Sequence, residues 1–328
     1  MTALYSGYSD EQFGLLGLLF SMKIGFIGQG WIGKNYADDF EERGYPVIRY
    51  ARSPEYIGNK EKIKECGIVF IAVPTPTVSE KFDDSILREV VKLVGKGNVA
   101  VIKSTLLPGT TESIQKENPD VYVFHSPEFL TEATAAHDAK NPQRNIVGIP
   151  LERDDYRAKA EEVLKVLPEA PYSRVCSSRE AELIKYGGNV WFYFKVVYVN
   201  MLYDLARKQG LEWEAIRDAM AADPRIGSTH LNPVHQSSTK GGDVKSLTFN
   251  ELHLEPVHKG GRGAGGHCFI KDFAAFSDIY KREVGDEFGC GVLDALRDKN
   301  IELLLDSDKD LDLLAGVYGT GRIKGKKK

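Results

Sequence analysis

The chain has 328 residues, enough for two or three domains and a sizeable hydrophobic core. Its formal net charge of -4 argues against a nucleic-acid-binding protein, and its composition is that of an ordinary soluble globular protein. The four cysteines, at positions 66, 176, 268 and 290, form no CxxC pair and show no zinc-ligand spacing. We therefore expect a reducing, cytoplasmic setting.

The first 21 residues are expected to be a poorly ordered extension. Residues 13–20 are apolar but too few to span a membrane, and Asp10 and Glu11 precede them where a signal peptide would be basic. Met22 reads as a natural start. We therefore predict no membrane partner.

A strand, a glycine loop, a helix and a second strand then follow in the order of a dinucleotide-binding unit. Residues 23–27 predict a short buried strand, and Gly28-Gln29-Gly30-Trp31-Ile32-Gly33 leads into a helix that stops at Gly44. In this pattern Gly28 makes the tight turn, Gly30 lets the pyrophosphate approach the backbone, and Gly33 lets helix and strand pack closely. Trp31 and Ile32 are assigned to the same cofactor site.

The acidic residue expected after the second strand, at residues 47–50, is absent, and Ala51, Arg52 and Ser53 stand there instead. A carboxylate would bind the ribose 2′-hydroxyl and repel a 2′-phosphate, whereas Arg52 and Ser53 can donate to that phosphate. The alternative is that both side chains face solvent. The sequence predicts NAD or NADP as cofactor, with NADP favoured.

Strands and helices continue to alternate, which predicts a Rossmann-like, doubly wound parallel α/β sheet. Ligands bind such a sheet beyond the carboxyl ends of its strands. Three loops fall there, and their candidate residues are Val73, Pro74 and Thr75, then Ser104 and Thr105, then Glu128, Phe129 and Leu130. Taken alone, Glu128 is better explained as a helix cap.

A long helix comes next. Ser177 and Glu180 have the spacing of a capping box, and the helix is predicted to run to Gln209, where Gly210 closes it. At 1.5 Å per residue its length is roughly 45–50 Å, which suggests a spine that joins the sheet to a smaller all-helical domain.

Two features of this helix bear on function. Lys185 and Asn189 are four residues apart and therefore share one face. The aromatic run at residues 191–198 predicts core or a subunit interface. A further helix at 211–223 precedes Arg225.

Residues 228–259 are polar and weakly patterned, and we expect a long, partly mobile loop. The segment carries four histidines in two pairs, each five residues apart: His230, His235, His253 and His258. Zinc is an open alternative, but scattered loop histidines are more often surface residues, so we predict no metal.

Five glycines occur among the seven residues 260–266, which excludes a helix or strand interior and permits close approach of a ligand or another chain segment. Cys268 follows, between a histidine and a lysine, where the loop enters a predicted helix. Thiolates are stabilised at such helix N-termini, so Cys268 is a candidate nucleophile. The alternative is a tight turn with a small buried cysteine.

Together these motifs resemble those of the UDP-glucose/GDP-mannose dehydrogenase family over most of residues 22–305. In order, they are Gly28-x-Gly30-x-x-Gly33, Val73-Pro74-Thr75-Pro76, Lys103-Ser104-Thr105, Pro127-Glu128-Phe129-Leu130, Glu180 to Lys185 with Asn189, Arg225-Ile226-Gly227, and Gly265-Gly266-x-Cys268-Phe269-x-Lys271-Asp272. The resemblance implies oxidation of the C6 hydroxyl of a nucleotide sugar to a carboxylate, with two nicotinamide cofactors used in succession.

The resemblance also implies roles for individual residues. Cys268 is the nucleophile, and Lys185 and Asn189 stabilise the oxyanion at C6. Asp272 with Thr105 holds or activates a water, and Glu128 assists proton transfer and thioester hydrolysis. The implied substrate-binding residues are Glu128, Phe129, Leu130, Lys185, Asn189, Arg225, Gly265 and Gly266. Arg225 would reach the substrate of a neighbouring subunit, which implies a homodimer built on the long helix.

The sequence departs from the family pattern at its end. About 55 residues follow Asp272, fewer than the roughly 100 of a typical domain, so we predict a short form without the usual C-terminal UDP-binding domain. The substrate is then either a nucleotide sugar or a smaller sugar alcohol. The predicted parts are an extension at 1–21, a dinucleotide-binding domain at 22–178, a connecting helix at 179–210, a helical dimerisation and substrate domain at 211–315, and a tail at 316–328.

Two other functions remain open. A two-electron dehydrogenase of the hydroxyacid type would use Lys185 as acid/base and need no thiol. A non-catalytic dinucleotide-binding protein is the other alternative, although the intact set of Cys268, Lys185, Asn189, Glu128 and Asp272 argues against it. Counting reduced cofactors per substrate separates the two dehydrogenases.

Overall fold

A computed structural model describes residues 22–78, 81–235 and 260–320, which form two compact units. The first unit contains the described residues up to Thr75 together with Asp84–Leu183, and the second contains those of Pro76–Asp83 and the described residues from Ile184 onward. The predicted extension at 1–21, most of the predicted loop at 228–259 and most of the predicted tail lie outside the described residues. The predicted domain boundaries remain predictions.

The secondary structure alternates in the first half of the chain and is mainly helical in the second. The strands are β1 (Ile24–Ile27), β2 (Val47–Tyr50), β3 (Ile68–Ile71), β4 (Thr77–Val78), β5 (Lys81–Phe82), β6 (Val99–Ile102), β7 (Tyr122–His125), β8 (Arg144–Ile149), β9 (Tyr172–Ser177), β10 (Val234–His235) and β11 (Gly261–Arg262). The α-helices are α1 (Trp31–Glu42), α2 (Ser85–Val91), α3 (Thr110–Glu117), α4 (Ala135–Lys140), α5 (Asp154–Val166), α6 (Ser178–Lys208), α7 (Trp213–Ala221), α8 (Gly266–Glu283), α9 (Glu287–Asp306) and α10 (Leu311–Tyr318).

The first unit is built on a seven-stranded sheet with the order β2-β1-β3-β6-β7-β8-β9. The first five strands in this order pair in parallel, which confirms the predicted Rossmann-like, doubly wound fold. One difference is that β8 pairs antiparallel with β7, through His125 and Gly148, and β9 pairs parallel with β8. Because β3, β6 and β7 are parallel neighbours, the three candidate loops that follow them lie at the same edge of the sheet.

Aromatic packing fixes α1 against the sheet. The ring of Phe26 on β1 lies 5.3 Å from that of Phe40 on α1 and 5.2 Å from that of Phe70 on β3, measured between centroids. All three side chains are buried. Offset and edge-on contacts of this kind add to the stabilisation from burial alone. This packing holds α1 against the sheet, and the glycine loop joins β1 to the start of that helix.

The long helix α6 begins as predicted. The Ser177 N–H donates to Glu180 Oε2 at 2.8 Å, and the Glu180 N–H donates to Ser177 Oγ at 3.3 Å, which is the reciprocal pattern of a capping box. The helix ends at Lys208, and Gly210 follows with a φ of 70°, a left-handed conformation that glycine adopts readily.

Glu182 on α6 holds the N-terminus of α3 within the first unit. Its fully buried carboxylate accepts hydrogen bonds from the Gly109 N–H at 2.6 Å, the Thr111 N–H at 2.8 Å and the Thr111 hydroxyl at 2.6 Å. Burial raises the pKa of Glu182, and these donors oppose that shift. Three donors therefore depend on one carboxylate.

Replacing Glu182 by leucine is expected to lower the free energy of unfolding by about 3 kcal/mol or more, because buried donors lose their acceptor. Urea denaturation followed by circular dichroism measures this loss. Glu161→Leu, at an exposed glutamate on α5, is the matched control and is expected to stay within about 0.5 kcal/mol of wild type. Equal effects of the two changes would contradict the capping role.

The second unit is mainly helical, and it packs α8 against α6. The ring of Phe273 stacks on that of Tyr193, with centroids 3.8 Å apart and planes 9° apart. The surrounding buried cluster is Val190, Tyr193, Val196, Val197, Ala264, Phe273 and Leu293. A second cluster joins α8 to α9 and α10 through Ile270, Ala274, Ile301, Leu304, Leu314 and Val317. These contacts set the positions of the side chains that α6 and α8 present.

Candidate active site

The glycine loop after β1 has the packing that the predicted cofactor roles require. Gly28 has a φ of 91°, and a Cβ there would lie 2.1 Å from the Ala72 carbonyl oxygen. A Cβ at Gly33 would lie 2.0 Å from the Gly28 carbonyl oxygen. The helix can therefore pack this closely against the end of the strand only because residue 33 is glycine. Gly30 differs, because a Cβ there would have no atom within 4 Å. The open space at Gly30 adjoins the first turn of α1, where backbone N–H groups favour a pyrophosphate.

The end of β2 presents one exposed arginine. Arg52 has a side chain that is 70% exposed, and its guanidinium lies 3.2 Å from Glu89 Oε2. Arg49 is largely buried and already bound to two carboxylates, with distances of 2.7 Å to Asp38 and 2.8 Å to Glu41. An exposed ion pair such as that of Arg52 contributes little, so Arg52 can exchange its partner for a ligand phosphate.

Hydrogen bonds join the loops after β3 and β6. The Val73 N–H donates to Ser104 Oγ at 3.1 Å, and the Ser104 hydroxyl lies 2.6 Å from the Val73 carbonyl oxygen. The Thr75 hydroxyl donates to the Thr105 carbonyl oxygen at 2.9 Å. The structure therefore brings together four residues that the sequence assigned to cofactor binding, and Pro74 lies exposed among them.

The loop after β7 carries Glu128, which is 4% exposed and accepts a hydrogen bond from the Leu130 N–H at 2.8 Å. Its neighbour Phe129 is covered by Arg144, whose guanidinium carbon lies 3.8 Å from the ring centroid. Leu130 packs against the core of the unit. A buried carboxylate is thus held at the sheet edge by the loop backbone.

Lys103 also lies at this sheet edge. The sequence places it in the Lys103-Ser104-Thr105 motif but predicts no role for its side chain. It is 3% exposed, its ammonium lies 3.0 Å from Ser126 Oγ, and it lies 4.6 Å from the ring centroid of Tyr36. Burial lowers the pKa of Lys103 to about 7, although the charge of Glu128 opposes this shift. In the sequence, Lys103 directly follows the apolar strand at residues 99–102, which is an unusual position for a lysine. That position is the sequence feature that indicates a buried lysine.

In the second unit, a hydrogen bond between side chains links the helices that carry the thiol and the amine. The Asn189 amide on α6 donates to Asp272 Oδ2 on α8 at 2.5 Å, and the Lys271 ammonium lies 2.5 Å from Asp272 Oδ1. Asp272 is 1% exposed. Lys185, 5% exposed, lies one helical turn before Asn189, and the half-buried Cys268 lies one turn before Asp272.

Cys268 is the third residue of α8, so the prediction that the glycine loop leads into a helix at this cysteine is confirmed. The positions of Gly265 and Gly266 are explained by another part of the chain. The Gly266 N–H donates to Asp310 Oδ2 at 2.8 Å, and a Cβ at Gly265 would lie 2.1 Å from that same oxygen.

Arg225 is 87% exposed at its side chain and paired with Asp223, at 2.6 Å between Nη2 and Oδ2. An exposed pair of this kind leaves the guanidinium accessible. His230 stacks on Phe192 with centroids 4.5 Å apart. The side chains of His235, His253 and His258 lie outside the described residues.

Within residues 22–78, 81–235 and 260–320, no three histidine, cysteine or acidic side chains converge as metal ligands would. In the same part of the chain, every helix is too short or too polar to cross a lipid bilayer.

The predicted site residues thus fall into two groups. The cofactor residues, with Thr105, Glu128, Phe129 and Leu130, lie in the first unit. The second unit holds the thiol, the amine, the amide and the carboxylate, together with Arg225, Gly265 and Gly266.

Two models of one protein family match the chain. The UDP-glucose/GDP-mannose dehydrogenase family, NAD binding domain, matches residues 55–167, and the central domain of the same family matches residues 179–248. Together they cover more than half of the chain. The glycine motif at 28–33 and Cys268 lie outside both matches.

Curated relatives point to the same family, and a solved structure shares the fold. The putative UDP-glucose 6-dehydrogenase YtcA of Bacillus subtilis (strain 168) is 25% identical over 325 residues, covering 87% of this chain and 69% of its own length. The UDP-glucose 6-dehydrogenase of Rhizobium meliloti (strain 1021) is 29% identical over 233 residues, and this chain spans only 46% of that relative. A UDP-glucose dehydrogenase structure from Pyrobaculum islandicum has a TM-score of 0.67 at 22% identity, covering 87% of this chain and 70% of that one.

Proposed function

The chain belongs to the UDP-glucose/GDP-mannose dehydrogenase family of NAD-dependent oxidoreductases, and from this premise we propose that it oxidises the primary alcohol of a sugar to a carboxylate in two hydride transfers. The observation that carries the proposal is the hydrogen bond between Asn189 and Asp272, which joins the helix of the candidate oxyanion donors to the helix of the candidate nucleophile. The substrate class is a nucleotide sugar, with a smaller sugar alcohol as the alternative.

A bound nicotinamide cofactor supplies the hydride acceptor for each oxidation, and two are used per carboxylate formed. The residues proposed to hold it are Gly28, Gly30 and Gly33 with the first turn of α1, and the loops that contain Thr75 and Ser104. The open space at Gly30 and the first-turn N–H groups suit a pyrophosphate.

Cys268 keeps the intermediate on the enzyme. Its thiolate adds to the aldehyde carbon left by the first oxidation, and this forms a C–S bond and a hemithioacetal oxyanion. That C–S bond persists when the second oxidation gives a thioester, and water then breaks it, which releases the carboxylate and returns the thiol. Covalent capture thus divides a four-electron oxidation into smaller steps.

Lys185 and Asn189 are proposed to stabilise the oxyanion at C6. Lys185 is buried, and a donor aimed at developing charge is worth more at a site shielded from water than in water. Asp272 is proposed to hold the hydrolytic water. Thr105 and Glu128, in the first unit, have the hydroxyl and carboxylate needed to assist water activation and proton transfer.

The family model supports NAD as cofactor, and NADP use is our finer proposal. It rests on the exposed Arg52, followed by Ser53, at the position where an acidic residue would exclude a 2′-phosphate. NADP binding would exchange the weak pair with Glu89 for a charge-assisted bond to phosphate.

We also propose a homodimer through α6. Four large apolar side chains on this helix are more than half exposed in the second unit, and their spacings of seven, three and four residues follow a coiled-coil seam: Trp191, Tyr198, Met201 and Leu205. We propose a cytoplasmic location, since the four cysteines, all of them among the described residues, form no disulfide bond.

The proposal predicts two reduced cofactors for each molecule of UDP-glucose consumed. The assay follows absorbance at 340 nm to its end point with limiting sugar, using NAD and NADP in parallel, and identifies the product by mass spectrometry. One reduced cofactor per sugar would instead support the two-electron dehydrogenase. No reduction with UDP-glucose or with a panel of smaller sugar alcohols, despite cofactor binding, would support a non-catalytic protein.

A further inference from the structure

The glycine-rich loop at residues 261–266 is packed directly against the last turns of α9 and the connection to α10. We call residues 300–310 the corner segment. A Cβ at Gly261 would lie 2.9 Å from Ser307 Oγ, one at Gly263 would lie 3.1 Å from Asn300 Oδ1, and one at Gly265 would lie 2.1 Å from Asp310 Oδ2. At Gly261 and Gly265, close approach of this segment accounts for glycine, and at Gly263 a φ of 87° favours glycine as well.

Hydrogen bonds between the loop backbone and the corner segment occur along the whole loop. Three successive even-numbered N–H groups donate to it: Arg262 to Ser307 Oγ at 3.0 Å, Ala264 to Asn300 Oδ1 at 2.6 Å, and Gly266 to Asp310 Oδ2 at 2.8 Å. In the other direction, Asn300 Nδ2 donates to the Ala264 carbonyl oxygen at 3.0 Å, and Lys309 Nζ donates to the Gly263 carbonyl oxygen at 3.1 Å. The loop therefore has little freedom to change its backbone conformation.

The groups that make these bonds are deeply buried. Asn300 is 1%, Lys309 0% and Asp310 8% exposed. Burial of polar and charged groups is unfavourable unless they are hydrogen-bonded, and their hydrogen-bond partners here include the loop backbone. Three buried polar side chains directed at one short loop indicate that its conformation matters.

The loop leads directly to the candidate nucleophile. Asp310 binds the N–H of Gly266, the first residue of α8, and Cys268 is the third residue of that helix. Gly266 has a φ of 78°, a left-handed conformation that few residues other than glycine adopt. The chain passes from the loop into the first turn of α8 through this conformation. The direction of the Cys268 side chain therefore depends on where the corner segment holds Gly266.

We propose that Asn300, Ser307, Lys309 and Asp310 are positioning residues that fix the glycine-rich loop and so aim the Cys268 thiol at the substrate carbon. This inference rests on the proposed function of Cys268. The four side chains act through the loop backbone.

The test compares Asp310→Ala with Asp310→Asn. Alanine removes the acceptor for the Gly266 N–H, whereas asparagine retains an oxygen and also tolerates the left-handed backbone, with a φ of 53°, at this position. Asp310→Ala is expected to lower kcat by about tenfold to a hundredfold with KM within about twofold, since small misplacement of a reacting group has effects of this size. Asparagine is expected to restore kcat to within about threefold of wild type. Asp306→Ala, an exposed carboxylate at the end of α9, is the matched control.

A second readout does not require turnover. The rate of Cys268 alkylation by iodoacetamide is measured between pH 6 and pH 10 by mass spectrometry of the Cys268 peptide. Asp310→Ala is expected to change this rate profile, and Asp310→Asn and Asp306→Ala are expected to retain it. If Asp310→Ala does not fold, Lys309→Met serves in its place, with Lys299→Met as control.

The outcomes separate the inference from the function on which it rests. An altered alkylation profile that asparagine restores supports positioning, even if no sugar is oxidised and the proposed function fails. A folded Asp310→Ala or Lys309→Met protein with unchanged alkylation and unchanged kcat overturns the positioning role, even if two cofactors are reduced per sugar.

Discussion

Replacement of Cys268 by alanine is expected to lower the rate of carboxylate formation by about a thousandfold or more. Without the thiol, the aldehyde is neither held on the enzyme nor converted to a thioester, so the second oxidation loses its covalent route. The variant is expected to reduce at most one cofactor per sugar. Quantifying the carboxylate by mass spectrometry, together with end-point cofactor reduction, measures both effects.

Cys290→Ala is the matched control for this change. Cys290 is likewise half-buried and forms no disulfide bond, but it lies on α9 and not at the start of α8. Its replacement is expected to leave turnover within about twofold of wild type. Carboxylate formation by Cys268→Ala at the wild-type rate would rule out the thioester route and favour a two-electron reaction based on Lys185.

Lys185→Met is expected to lower kcat by about a hundredfold or more. Methionine fills much of the buried space of the lysine but removes the ammonium proposed to stabilise the oxyanion, and one such donor is worth about 3 kcal/mol. Initial rates at saturating substrate and cofactor measure this loss. Lys208→Met, at an exposed lysine near the end of the same helix, is expected to keep kcat within about twofold. A kcat for Lys185→Met within threefold of wild type would exclude Lys185 from either catalytic role.

The features that could be predicted from the sequence depend on short-range patterns. Gly28, Gly30 and Gly33 predict a strand, a turn and a helix because their spacing of two and three residues is typical of that short unit. Ser177 and Glu180 predict the start of α6 because both partners of the capping box lie within one helical turn. The prediction that the loops after β3, β6 and β7 share one edge followed from the parallel sheet alone.

Other features depend on contacts that local patterns do not encode. The apolar pattern of β8 indicates a buried strand but is the same whether it runs parallel or antiparallel to β7. The glycines at 261, 263 and 265 were open to either a ligand or a chain segment, and the segment that contacts them lies more than thirty residues further on. Lys103 ends an apolar strand in the sequence, but its burial beside Tyr36 becomes visible only once α1 packs on the sheet.

The contact between Asp310 and Gly266 has a consequence for the order in which the protein matures. The two residues are 44 positions apart, so at about 5–20 residues per second the ribosome adds Asp310 roughly 2 to 9 seconds after Gly266. During that interval the nascent chain already contains Cys268 but not the side chain that fixes its loop. The loop conformation that we propose to aim the Cys268 thiol can therefore form only after the strands and helices of the amino-terminal unit have been made.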